Sequence, residues 1–80
     1  MVKKRLRVII KGKVQGVFFR ANTEKLAKKL SVNGFVMNKE DGSVEAVFEA
    51  DDEKLKKMIE FCNKGPENSR VDSVEIIPEK

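Results

Sequence analysis

Eighty residues allow one hydrophobic core and one site, because a short chain buries a smaller share of its surface than a long one. With no histidine and a single cysteine, Cys62, the chain can close no internal disulfide and assemble none of the usual nitrogen and sulfur metal sites; zinc chemistry and histidine-based triads are excluded, and no metal or other cofactor is expected. The net charge of +4 is spread over interleaved signs, which suits a small anion better than nucleic acid, and the dominance of Lys and Glu among the charged 38% leans towards a heat-adapted protein.

No apolar run approaches membrane-spanning length, and the start MVKKRLRVII mixes charged with apolar residues instead of forming a signal-peptide core. The expectation is a cytoplasmic protein with no membrane partner. Over 5–14 the residues Leu6, Val8, Ile10 and Val14 are apolar while Arg5, Arg7, Lys11 and Lys13 are basic, with Ile9 the exception. That alternation predicts a half-buried strand with one basic face. After a glycine-bearing loop, 21–32 reads as a helix with Thr23, Leu26, Ala27 and Leu30 on one stripe and Lys25, Lys28 and Lys29 opposite. Asn33-Gly34 is expected to supply its left-handed exit.

A second strand over 35–39, a turn at Glu40-Asp41-Gly42 and a third strand over 43–49, with Val44, Ala46 and Phe48 on one face, make a hairpin. Asp51-Asp52-Glu53 has the chemistry of a helix start, and Leu55, Met58, Ile59 and Cys62 follow at amphipathic spacing until Gly65-Pro66. Val71, Val74, Ile76 and Ile77 predict a last strand, with Pro78 near its end as an edge strand tolerates. The order βαββαβ, without linker or repeat, predicts a single domain over 1–80. Its fold class is an α+β, ferredoxin-like sandwich: a four-stranded antiparallel sheet with two helices on one face. Such a fold hosts many unrelated activities.

Two stretches carry chemistry. In "GKVQGVFFR", 12–20, a glycine-bearing loop runs into a helix N-terminus and an arginine, where free N–H groups, the helix dipole and a bidentate guanidinium all favour an anion. The competing reading is an ordinary connection with two packed phenylalanines and a solvated charge. The glycine spacing does not fit a Walker loop, and the aromatics do not fall where an RNA-stacking strand needs them. In "GFVMNKEDGSVE", 34–45, Asn38 is equally compatible with the end of a strand before a turn.

Taken together on a βαββαβ order, "VQGVFFR" and "GFVMN…DGSVE" resemble acylphosphatases, enzymes that hydrolyse carboxyl-phosphate anhydrides, and the resemblance covers nearly the whole chain. It implies a phosphate loop of Gln15, Gly16, Val17, Phe18, Phe19 and Arg20 whose backbone amides hold the phosphoryl oxygens, with Arg20 as phosphate-binding arginine and Asn38 as the catalytic asparagine that orients water. Met37 and Ala50 depart from the basic or amide residue and the glycine that family members commonly carry there. The implied partners are a small acyl phosphate and inorganic phosphate, with no metal, no nucleic acid and a monomer as the default. The rival expectations are a non-catalytic anion-binding or regulatory module, an RNA binder using the basic strand face, and a carbamoyl phosphate module of a larger enzyme.

Overall fold

Alternation along the first strand sets the two faces of the sheet. The computed structural model describes residues 3–79; Met1, Val2 and Lys80, the ends of the domain expected over 1–80, lie outside the described residues. The chain forms β1 (Lys4–Lys13), α1 (Phe19–Leu30), β2 (Asn33–Asn38), β3 (Val44–Ala50), α2 (Asp52–Lys64) and β4 (Arg70–Glu79). The sheet order is β2-β3-β1-β4 and every neighbouring pair is antiparallel. This is the ferredoxin-like arrangement the sequence predicts.

Val8 and Ile10 of β1 lie in register with Ala46 and Val44 of β3, and all four are fully buried. They join Phe48, Phe19, Leu55, Met58 and Cys62 in one cluster between the sheet and both helices. Removing apolar area of this kind from water stabilises by roughly 1.5–3 kcal/mol for each large side chain. Met58→Ala would therefore open a cavity at a cost of about 2–5 kcal/mol. Cys62 belongs to this packing, and burial pushes its thiol up to about 12.

α2 starts as expected: the Asp51 carboxylate accepts from the Lys54 N–H at 3.0 Å, Asp52 and Glu53 occupy the first turn, and Gly65 ends the helix. α1 departs from expectation at both ends. It begins at Phe19, two residues early, because Phe18 takes a left-handed conformation and serves as N-cap. Its left-handed exit is Ser31, not Asn33-Gly34. Ser31 N–H bonds to Lys28 O at 3.2 Å and Val32 N–H to Ala27 O at 2.8 Å, a pair that satisfies the last carbonyls and tucks Val32 into the core. Asn33-Gly34 instead opens β2. There Gly34 (φ 135°) lets the edge strand approach the Val47 carbonyl so closely that a side chain would collide with it.

The other face of the sheet carries no helix. Its predicted basic stripe is present but paired: Arg7 bridges Glu45 and Glu79, the latter at 2.7 Å, Arg5 reaches Glu79 at 3.2 Å, and Lys39 reaches Glu45 at 3.2 Å. Strand register places these charges side by side, so the Arg5 and Arg7 end of the stripe is neutralised by its neighbours, while Lys11 and Lys13 are exposed with no ion pair among the described residues. Met37, opposite Glu45, is half-exposed on this face, and Ala50 is buried at the end of β3.

Candidate active site

The loop from β1 to α1 is pinned by alternate residues. Val14, Val17 and Phe19 enter the core, while Gly16 and Phe18 are left outside. The backbone between such anchors is held in place before any ligand arrives. Gly16 (φ 74°) and Phe18 (φ 62°, ψ 22°) are both left-handed. A Cβ on Gly16 would meet nothing within 4 Å, so the glycine answers the backbone angle, not a crowded neighbour. For Phe18 the same angle costs about 1–2 kcal/mol. Its ring is 78% exposed, so burial of that ring does not offset the strain. Left-handed residues within a tight turn aim successive N–H groups to one side, and strained loops of this kind concentrate at functional sites.

The start of α1 is unusually bare. Phe18 offers no side-chain cap, no acidic residue stands in the first turn, and the first internal bond is Asn22 N–H to Phe18 O at 3.0 Å. The amides of residues 16–21 therefore find no protein acceptor among the described residues. They lie where the helix dipole adds positive potential. Arg20 is exposed at this end of the helix.

Asn38 closes the other side. It is the last residue of β2, paired with Val44, and its carboxamide makes no hydrogen bond to the protein among the described residues. Beyond it the hairpin turn is held by Lys39 N–H to Ser43 O at 2.9 Å and by Asp41, which accepts from the Ser43 N–H at 2.9 Å and the Ser43 hydroxyl at 2.6 Å. Those bonds from Ser43 hold the Asp41 carboxyl below its ordinary value.

Val14, Gly16, Phe18, Phe19, Arg20, Ala21 and Asn38 line one depression of about 130 Å³. Of the residues named from the sequence, Gly16, Phe18, Phe19, Arg20 and Asn38 thus come together. Val17 is an anchor beneath the loop, and the Gln15 side chain turns away to the hairpin, donating to Lys39 O at 2.7 Å and Ser43 O at 2.8 Å. Val14 and Ala21 line the depression without having been singled out. Val14 continues the alternation of β1, and the only hint in Ala21 is a small residue directly after the arginine. A larger apolar groove of about 640 Å³, walled by Leu6, Leu55, Ile59 and Pro78, shares no residue with this depression and has no arginine.

A ferredoxin-like sandwich thus brings helix-N-terminal amides, an arginine and a carboxamide without a protein partner among the described residues around one small hollow, a chemistry suited to a small anion. The acylphosphatase profile matches residues 6–80, and the chain belongs to that family of hydrolases. It is 47% identical over 73 residues to an acylphosphatase of Rubrobacter xylanophilus, a match covering 91% of this chain and 66% of that one, just under two thirds. It is 50% identical over 76 residues to an acylphosphatase of Syntrophobacter fumaroxidans, covering 95% and 78% respectively. The crystal structure of acylphosphatase from Bacillus subtilis superposes with a TM-score of 0.92 at 31% identity, covering 96% of this chain and 86% of that one.

Proposed function

We propose that the chain hydrolyses the carboxyl-phosphate anhydride of small acyl phosphates, with Arg20 and the amides of the loop from Gln15 to Arg20 holding the phosphoryl group and Asn38 orienting the attacking water. The observation that carries this reading is the shared depression: loop residues whose amides have no protein acceptor among the described residues, Arg20 and Asn38 all line it.

In phosphoryl transfer through a loose transition state the protein mainly positions the reactants and stabilises charge on the equatorial oxygens. Donors fixed before the reaction do this without reorganising. The leaving group is a carboxylate of pKa about 4, so it departs at neutral pH without a general acid. The Asn38 carboxamide oxygen accepts a hydrogen bond from water and sets it in line with the departing carboxylate. The water oxygen bonds phosphorus as the bridging P–O bond breaks, and both water hydrogens end on the phosphate, since an amide is too weak a base to keep one. The products are a carboxylate and inorganic phosphate.

The same reading takes the chain as one domain and a monomer acting in the cytoplasm, without a nucleic-acid partner. One buried cluster drawn from β1, α1, β3 and α2, with the half-buried Val36 of β2 and Val71 and Val74 of β4 packed against it, supports a single domain. Pairing of Arg5 and Arg7, half of the basic strand face, with acidic neighbours speaks against RNA. No helix among the described residues is long and apolar enough to cross a membrane. Ion pairs linked through Arg5, Glu79, Arg7, Glu45 and Lys39 fit adaptation to heat.

The test is hydrolysis of benzoyl phosphate by the wild type in EDTA, with inorganic phosphate as competitor. Turnover inhibited competitively by phosphate is expected. A folded protein that binds phosphate but does not turn over would replace the hydrolase reading with that of a binding module.

A further inference from the structure

Gln15 is the one residue of the phosphate loop whose side chain faces neither the depression nor the core. Its carboxamide nitrogen has two protons, and both are used: one goes to the carbonyl of Lys39 at 2.7 Å and the other to that of Ser43 at 2.8 Å. These two carbonyls bracket the turn of the β2–β3 hairpin, where Lys39 N–H also donates to Ser43 O and Gly42 N–H to Lys39 O. Lys39 directly follows Asn38, so holding its carbonyl orients the peptide unit next to the one from which the Asn38 carboxamide projects.

The need for such a link follows from where Asn38 stands. It ends an edge strand, its last ladder partner is Val44, and the other strand of the sheet that feeds the site, β1, is separated from β2 by β3. The phosphate-holding amides belong to one element and the water-orienting carboxamide to another. Among the described side chains, Gln15 alone hydrogen-bonds the loop directly to the hairpin. Its chemistry is specific to the residue: asparagine is one methylene too short, glutamate would set an acceptor against two carbonyls, and methionine would fill the space with no donor.

We infer that Gln15 is a positioning residue: its double hydrogen bond fixes the Asn38 carboxamide at the distance and angle from the phosphate loop that in-line attack requires. This rests on the hydrolase reading above. A misplacement of about 1 Å in a reacting geometry costs on the order of 100-fold in rate, so the link acts on turnover and not on anion binding. Both carbonyls keep a backbone donor without Gln15, which leaves the hairpin able to form in a variant.

Gln15→Met, Asn38→Ala and the double variant are compared with the wild type for kcat on benzoyl phosphate and for inhibition by inorganic phosphate. Gln15→Met is expected to lower kcat by about 10- to 100-fold while the phosphate inhibition constant stays within about threefold, which also reports a folded loop. The double variant is expected to be no slower than Asn38→Ala alone, because Gln15 acts through Asn38. Gln15→Ala carries the same prediction should the methionine variant fail to fold. Turnover lost in Asn38→Ala but unchanged in the Gln15 variants would overturn this role and leave the hydrolase reading intact. So would an equal loss of kcat and phosphate affinity, or additive losses in the double variant. No turnover in the wild type would overturn both.

Discussion

Arg20 Nε stands 4.0 Å from a carboxylate oxygen of Glu24, one turn further along α1, and this is the arginine's only ion pair among the described residues. Both side chains are about half exposed, at 55% and 53%. A solvated pair at this spacing is worth roughly 0.3–0.5 kcal/mol. The guanidinium is therefore held near the depression but surrendered to an anion at little cost. Glu24→Gln is expected to tighten competitive inhibition by inorganic phosphate about twofold, the factor that this energy corresponds to. Weakened inhibition would show that Glu24 holds Arg20 in place instead of competing for it.

Acid stability should follow the ladder on the helix-free face. The bond from Arg7, reinforced by Arg5, holds the Glu79 carboxyl below its ordinary value of 4.5. A carboxylate depressed in the folded state contributes stability that is fully present above its unfolded pKa and is lost as pH falls through the folded one. The melting temperature should accordingly hold from neutral pH to about 4.5 and decline below it. Glu79→Gln should lower the plateau and flatten the decline. An equally steep acid decline in that variant would assign the effect to other groups, among them Asp41, whose carboxyl Ser43 also holds low.

Gly34 tests the account of the edge strand. Its positive φ and its approach to the Val47 carbonyl leave no room for a side chain. Gly34→Ala should cost at least about 2 kcal/mol, a fall in melting temperature of roughly 8–16 °C for a domain of this size. A change of less than about 2 °C would mean that β2 shifts freely against β3. Because β2 ends at Asn38, the same variant should also lose turnover.

The contrast between Gly34 and the rest of the chain shows what the sequence discloses. Alternation in β1 and the Leu55, Met58, Cys62 spacing in α2 are local, large in energy and readable directly. The αL position at the end of α1 falls at Ser31 although asparagine and glycine, two residues on, are better left-handed residues. Contacts across the sheet decide otherwise: Gly34, opposite Phe48, is needed where β2 passes close to the Val47 carbonyl. The N-terminal boundary failed for a related reason, since nothing in a phenylalanine announces a left-handed cap.

In the site, the loop's anion chemistry was legible from glycine, helix start and arginine. Its convergence with Asn38 is not derivable from spacing; it comes from resemblance, since pairing of strands far apart in sequence brings the two to the same end of the sheet. The ion-pair ladder and the direction of Gln15 were hidden for the same reason. Apart from Lys39–Glu45, six residues apart, both depend on partners 24 to 74 residues away in sequence.

The most direct test of the whole account is the turnover of benzoyl phosphate by Arg20→Ala and Asn38→Ala beside the wild type in EDTA, with phosphate inhibition measured on each. Both variants should fall by on the order of 100-fold or more, as for removal of a transition-state donor, with phosphate affinity lost in Arg20→Ala and kept in Asn38→Ala. Activity of both variants within a few-fold of the wild type would contradict the assignment of this depression as the active site.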